Sequence, residues 1–420
     1  RVYIGSVPAI DRVAKKIDPS IFFHKSTFVN RSAFYKSLGH CFVFMDEEGG
    51  ITTSRSATEG FCNHRYRTVS KEREDLFFLP GKRFEDYISK LPNVKGVEFH
   101  TTGWPRVDLW REEFRYLYRP KIDEIKKNHG EYYLLVTSFG MTNKKSYEDR
   151  MKRAQKPYIP LYQHKYNALQ VYIELIGKLS NLMQPGEKLI VRPHPSESIA
   201  DWNKITQDFN NVFVIRDGDI TPWILASSGV VQYASTTATQ AALNGITCIQ
   251  YKIDWQDGIT DTPSFELCED AQTPESVYSL LVKNKNKKNS VIQNRAIDFL
   301  KKEMAFDENE LAVTKMVQIF EKIKLNSIER FTPNFIDVLK PYMEYLYSYI
   351  KLLYYKVNKF SSPKKTIIDK IPGGIKGSEI QDFIELFSKN DDSNIAIKCL
   401  NIKKDLVSIE TTNDVYRVDK

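Results

Sequence analysis

Short apolar runs recur along this chain, separated by stretches that are polar or carry helical periodicity. Runs of about 4–8 residues rich in Val, Ile, Phe and Tyr, bounded by Gly, Pro or charged residues, read as buried strands. In the first half they lie at 2–6, 21–24, 41–45, 76–79, 97–100 and 133–137; in the second, at 189–192, 212–215, 230–233 and 248–251. Residues 160–183 have helical periodicity where the halves join. Residues 273–283 read as a helix capped by Thr273 with Pro274 in first position, and 294–324 as one helix rich in Lys and Glu. Strand–helix alternation of this kind predicts parallel sheets with right-handed crossovers, hence an α/β protein. At 420 residues the chain exceeds what one core ordinarily serves. Two Rossmann-type domains facing each other across a cleft are expected, at 1–158 and 159–328, with 329–420 as a helical tail. No repeat of fixed period is present.

The pattern changes near residue 330. Residues 338–360 are dense in Tyr and Leu, with Lys351, Lys356 and Lys359 among them. A helix here has an aromatic and a basic face, which suits an anionic membrane surface. The same face packed back across both domains is core. Residues 361–365 read as a linker and 367–389 as a short helical unit.

Composition narrows the partners. A hydrophobic share of 41% with 27% charged residues describes a globular chain and excludes a disordered one. The net charge of +8 favours an anionic partner: a nucleotide-linked substrate, an acidic lipid surface or nucleic acid. Nucleic acid ranks last, because no basic arm, zinc spacing or RNP-like aromatic motif accompanies the charge. The five cysteines are scattered and odd in number, which fits a reducing cytosol and neither a disulfide framework nor a CxxC zinc site. The first residues read as a strand rather than a leader, and no apolar stretch reaches about 18 residues. The expected location is cytoplasmic; residues 338–360 either pack back across the domains, the leading reading, or make peripheral contact with the inner membrane.

The string Lys188-Leu-Ile-Val-Arg-Pro-His-Pro-Ser-Glu197 carries the most chemistry. A buried strand stops in a proline-fixed turn bearing Arg192, His194, Ser196 and Glu197. Ligands of open α/β sheets bind at the carboxyl ends of strands, and two prolines leave His194 little freedom to lose. Asp46-Glu-Glu-Gly-Gly50 follows another strand. Adjacent carboxylates raise one another's pKa, and such groups serve as general acids, bases or nucleophiles. In Tyr233-Ala-Ser-Thr-Thr-Ala-Thr-Gln-Ala-Ala-Leu243, the hydroxyls of Ser235, Thr236 and Thr237 open an alanine-rich helix, which fits phosphate binding as well as capping. Arg216-Asp-Gly-Asp-Ile-Thr-Pro-Trp-Ile224 reads as a turn with Thr221 as cap and Pro222 in first position. Thr137-Ser-Phe-Gly-Met-Thr-Asn143 is a polar turn, and Gly103-Trp-Pro-Arg-Val-Asp108 offers a buried Arg–Asp pair.

These strings in this order, together with Pro222-Trp-Ile-Leu-Ala-Ser and Asn244-Gly, resemble bacterial surface-carbohydrate biosynthesis proteins. That family is similar to the CMP-sugar transferases of GT-B type, among them the retaining β-Kdo transferases and the bacterial sialyl- and polysialyltransferases. The resemblance covers roughly residues 1–325. It implies that His194 contacts the donor phosphate or leaving CMP, with Ser235 and Thr236 beside it. It also implies that Asp46, Glu47 or Glu48 supplies the catalytic carboxylate, as nucleophile with retention in the leading reading or as base with inversion in the alternative. Glu47 and Glu48 stand closest to the glycine turn. No metal or other cofactor is expected, since positioned donors can stabilise a CMP leaving group, and the CMP-sugar is itself a substrate. Arg192, Ser196, Glu197, Thr237 and Asn143 join the expected donor contacts. A 2-ulosonic acid brings its own carboxylate, for which Lys25, Arg55 and Arg192 are the candidate cations. The expected activity is transfer of a CMP-activated 3-deoxy-2-ulosonic acid (Kdo or a nonulosonic acid) to a glycan or lipid-linked glycan. An epimerase acting on a nucleotide sugar and a glycan- or membrane-binding protein without catalysis are the other readings.

Overall fold

The computed structural model of the protein describes residues 2–5, 7–24, 29–46, 59–60, 62–63, 66, 69, 76–154, 159–252, 264–285, 287–325, 377–388, 397–403 and 406–411. Its strands are β1 (Val2–Gly5), β2 (Ile21–His24), β3 (Cys41–Met45), β4 (Leu76–Leu79), β5 (Glu98–Thr101), β6 (Tyr133–Val136), β7 (Leu189–Arg192), β8 (Val212–Val214), β9 (Val230–Gln232), β10 (Cys248–Tyr251), β11 (Glu269–Ala271), β12 (Ile397–Lys403) and β13 (Leu406–Thr411). The chain divides into two compact units: Arg1–Phe44, Val69–Leu76 and Lys322–Lys420 form one, Met45–Thr68 and Phe77–Glu321 the other.

In the first unit β2 and β3 run parallel, with Ile21 opposite Cys41 and His24 opposite Phe44. Ala14, Phe22, Phe34, Tyr35 and Phe42 form a small core there, the rings of Phe22 and Tyr35 stacking at 4.4 Å. The buried His40 locks two loops together: its Nδ1 accepts from the Ser20 N–H at 3.0 Å, and its Nε2 donates to the Ala14 carbonyl at 2.9 Å. The neutral imidazole is therefore the Nε2–H tautomer, and burial lowers its pKa.

The tail departs from the helical expectation. The helix Gly377–Ser388 is present, but β12 and β13 pair antiparallel, and β13 also pairs antiparallel with β1. Ile397-Lys-Cys-Leu-Asn-Ile and Leu406-Val-Ser-Ile-Glu-Thr411 favour extended backbone through branched and alternating side chains. Residues 338–360 lie outside the described residues.

The second unit is built on a six-stranded sheet in the order β8-β7-β6-β9-β10-β11, every neighbouring pair parallel. Numbered from β6, this is the doubly wound order 3-2-1-4-5-6, which reverses between its first and fourth strands. The α/β class with parallel sheets is thus observed. One strand changes place: β6, expected to close the first half, stands at the centre of this sheet. Its Leu134 lies opposite both Ile190 and Val230. Tyr-Leu-Leu-Val suits that position because both faces are covered. Leu134 and Val136 join Ile190, Trp223 and Ala238 in one core; Tyr133 and Leu135 join Leu175, Val191 and Tyr233 in the other. The helix Ile159–Leu182 covers the latter face, burying Leu169, Tyr172, Leu175, Ile176 and Leu179 at helical spacing. Each such side chain contributes about 1.5–3 kcal/mol. The edge strand β11, Glu-Asp-Ala, has no apolar run to announce it.

Residues 294–324 form two helices rather than one, Ser290–Glu303 and Ala312–Lys322. Arg111 makes the break. Its guanidinium donates to the carbonyls of Asp307 (2.6 Å), Glu308 (3.2 Å) and Glu310 (3.3 Å) and lies over the Phe306 ring. Arg111 also pairs with Asp108 at 2.9 Å, and Asp108 accepts the Ala312 N–H at 2.7 Å, capping the second helix. The Arg–Asp pair expected within 103–108 is therefore Asp108 with Arg111. Arg106 is exposed and lies beside the Trp104 ring.

Candidate functional site

The carboxyl ends of β6, β7 and β9 meet where the strand order reverses, the place where a doubly wound sheet leaves a crevice. Their three loops are bonded to one another. Thr137, just past β6, donates its N–H to the Arg192 carbonyl at 3.2 Å and its hydroxyl to Glu197 Oε2 at 2.5 Å. The His194 N–H donates back to Thr137 Oγ1 at 3.3 Å. Glu197 also accepts from the Gly140 N–H and the Trp202 indole, both at 2.9 Å. The Ser138 hydroxyl donates to the Tyr233 carbonyl at 2.6 Å, tying the β6 loop to the β9 loop.

His194 is exposed at the tip of the Pro-His-Pro turn. Its Nδ1 accepts from the Ser196 N–H at 3.2 Å and lies 2.7 Å from the Ser196 hydroxyl. The neutral ring is therefore protonated on Nε2, a donor at the end of β7. Partial desolvation lowers its pKa, opposed by the Glu197 charge and reinforced by Lys165, Arg216 and Arg150.

Past β9, Ala234 has φ +44, a left-handed conformation that costs a non-glycine residue about 1–3 kcal/mol. Two bonds flank it: Ser138 to the Tyr233 carbonyl, and the Ser235 N–H to Gln232 Oε1 at 2.8 Å. The Ser235 hydroxyl accepts the Thr237 N–H at 3.3 Å, while Thr236, the residue before the helix Thr237–Leu243, makes no side-chain cap. Thr237 is buried, and its hydroxyl oxygen has no hydrogen-bond partner.

Three expected donor contacts have internal roles. Arg192, only 5% exposed, donates to the carbonyls of Asp217 (2.9 Å) and Gly218 (2.5 Å) and lies over the Trp223 ring. It braces the next turn on the sheet's far face. That turn is capped by Asp219, which accepts the Thr221 N–H at 2.7 Å; Thr221 is not the cap, and Pro222 is third in the helix Ile220–Ala226. Glu197 is 4% exposed, its oxygens engaged by the three donors above. Asn143 caps the helix Lys144–Arg153 in a capping box with Ser146 and donates to Asp201 at 2.8 Å.

Sequence reasoning missed three cations. Lys165, from the helix Ile159–Leu182, donates to the Ser138 carbonyl at 3.2 Å. Arg150 packs against Gly140: a Cβ there would lie 3.6 Å from the guanidinium, and Gly140 has φ +73. Arg216 donates to the carbonyls of His194 (3.0 Å) and Glu197 (2.8 Å), holding the Pro-His-Pro turn. Burial and the Arg150 charge lower the Lys165 pKa, with Glu197 opposing them. No motif marked Lys165 or Arg150; only Arg216 stood in a string singled out from the sequence.

Asp46, just past β3, is 2% exposed, and its carbonyl accepts from the Trp104 indole at 3.2 Å. Burial and the Asp46 charge push the Cys62 thiol up to about 12. Glu47, Glu48, Lys25 and Arg55 lie outside the described residues. Among the described residues no cluster of three or more His, Cys, Asp or Glu is placed to hold a metal, and no helix is long and apolar enough to cross a membrane.

No family model and no curated protein matches the chain. Solved structures similar to it include the wall teichoic acid polymerase TagF (TM-score 0.43, 13% identity, covering 67% of each chain). Anabaena HepE in complex with UDP-glucose is similar at TM-score 0.39 and 11% identity, over 75% of this chain and 80% of that one. The UDP-GlcNAc 2-epimerase from Methanocaldococcus jannaschii is similar at TM-score 0.42 and 11% identity, over the same shares. With TM-scores under 0.5, these likenesses stand as resemblances and say nothing of this chain's own chemistry.

Proposed function

We propose that the second unit binds the nucleotide of an activated sugar at the reversal between β6 and β9, and that the protein is a glycosyltransferase of GT-B type. The proposed donor is a CMP-activated 3-deoxy-2-ulosonic acid, and the acceptor a surface glycan or lipid-linked glycan. One observation carries the reading: a neutral imidazole in a proline-fixed turn, Nδ1 satisfied by Ser196 and Nε2 a donor, beside three half-buried cations at the strand ends where such a sheet takes a phosphate.

His194 Nε2–H donates to a phosphoryl oxygen and stabilises the charge that grows as the glycosidic C–O bond breaks. Ser235 and Thr236 add hydroxyl donors from the β9 loop. Arg192, Glu197 and Arg216 hold the loops in place, and Asn143 holds the helix that carries Arg150. On the acceptor side, a carboxylate of residues 46–48 removes the acceptor proton, or attacks the anomeric carbon first and is displaced by the acceptor oxygen. Asp46 is buried, which leaves Glu47 and Glu48 as the proposed pair.

Calorimetric titration of the wild-type protein and His194→Ala tests this, each cytidine nucleotide being paired with its uridine counterpart. The expected result is preference for cytidine and a loss of about 10–100-fold in affinity for CMP in the variant, the worth of one charge-assisted hydrogen bond. Preference for uridine nucleotides would return the epimerase reading, and no binding at all the non-enzymatic one.

A further inference from the structure

Arg150, Lys165 and Arg216 surround the His194 turn without an ion pair among the described residues. Cations packed into a half-buried crevice ordinarily bring their own carboxylates, because an uncompensated buried charge is costly. The acid whose charge acts on Lys165, Glu197, is held by Thr137, Gly140 and Trp202 and serves the loops. Arg216 is likewise occupied with the carbonyls of His194 and Glu197. Lys165 has one neutral acceptor, the Ser138 carbonyl, and Arg150 rests on the Gly140 backbone and the Tyr162 ring at 5.2 Å. Two cations thus stand at the β6 loop, next to the loop that carries His194, with the single charge of Glu197, already bonded to three other groups, to set against them.

We infer that Lys165 and Arg150 form a second anion subsite, which takes a negative group attached next to the nucleoside phosphate. The inference rests on the donor-site reading above and deepens it. Such a donor carries two charges close together, as a nucleoside phosphate bonded through oxygen to a carbon that bears a carboxylate does. A nucleoside diphosphate also places a second anionic group beyond the phosphoester oxygen, one bond nearer than the carboxylate of P–O–C–COO⁻, so CDP serves as the probe. The subsite also supplies what Lys25, Arg55 and Arg192 were expected to supply. Burial and the Arg150 charge, only partly offset by Glu197, lower the Lys165 pKa, as expected where cations outnumber anions. Binding of an anion raises it again.

The experiment measures CMP and CDP affinity by calorimetry for the wild type, Lys165→Met, Arg150→Met, His194→Ala and Lys178→Met, the last an exposed lysine of the same helix. In the wild type CDP is expected to bind about tenfold more tightly than CMP, the worth of about 1.4 kcal/mol. That ratio should fall to about threefold or less in Lys165→Met and in Arg150→Met. It should persist in His194→Ala, which weakens both ligands, and in Lys178→Met. A wild-type ratio near one overturns the subsite while CMP binding leaves the donor site standing. A ratio that survives in both Lys165→Met and Arg150→Met, or falls equally in Lys178→Met, also overturns it. If neither nucleotide binds, the donor-site reading itself fails.

Discussion

The Thr137 hydroxyl donates to Glu197 at 2.5 Å, which bonds the loop after the central strand to the turn after its neighbour. Because Glu197 also takes the Gly140 N–H and the Trp202 indole, one buried carboxylate sets the spacing between the two segments that frame the crevice. An amide in its place keeps a single acceptor oxygen and adds two donors with nothing to meet. Glu197→Gln is expected to cost about 1.5–3 kcal/mol in chemical denaturation and to weaken nucleotide binding as well. Unchanged stability would remove Glu197 from the scaffold.

Ser196 acts through His194. Removing its hydroxyl leaves the backbone N–H on Nδ1, so the tautomer survives and only the ring's second restraint is lost. Ser196→Ala should weaken CMP binding by about threefold, well short of the loss in His194→Ala, in the same calorimetric titration. Equal losses would show that the serine touches the ligand itself.

Arg111 and Asp108 are both buried, and the arginine closes the break between two helices. Arg111→Met leaves the Asp108 carboxylate, whose pKa burial already raises, without its partner. A loss of about 3–5 kcal/mol is expected in urea unfolding. Asp108→Asn on top of it should recover part of that loss, and purely additive losses would deny the coupling.

How much of the molecule was legible in its sequence depended on how local each signal was. Cys41–Met45, Leu76–Leu79, Leu189–Arg192 and Cys248–Tyr251 are short, mainly apolar runs, buried along their whole length, and announce themselves as strands. Pro-His-Pro marked His194 because rigidity is written into adjacent residues. Lys165 sits in an amphipathic helix among other polar positions, and its partner Ser138 is supplied by a loop remote in sequence. Arg150 shares its helix with Lys152 and Arg153, and nothing local separates it from them. Arg192 and Glu197 looked like ligand contacts for the converse reason: burial turns a charged side chain in a promising turn into a brace, and burial belongs to the fold. The strand pair at the end of the chain was legible in its branched residues, but the aromatic run before it suggested a helical tail.

Two imidazoles contribute to the acid sensitivity of the fold. His40 and His194 are both held below the ordinary value of 6.5. The unfolded chain therefore binds more protons than the folded one between the folded values and 6.5. Their contribution is complete above pH 6.5 and is lost as pH falls through the folded values. The denaturation midpoint should drop from pH 7 to pH 5, less steeply in His40→Gln; a flat profile in the wild type would count against it. Nucleotide affinity should move the other way, rising as pH falls toward the lowered value of the free ring, because an anion on His194 favours the charged ring.

The position of β6 also governs how the second unit is made. It is the first strand of its sheet to leave the ribosome, and it needs a partner on each side. Val230, which lies opposite Leu134, is synthesised long after it. Until then one edge of an apolar strand stays open, loop closure is slow, and the crevice is the last part of the sheet to exist. A nascent chain of this protein thus spends its most aggregation-prone interval before its binding site can form, and a ligand can stabilise the finished sheet without helping it to assemble.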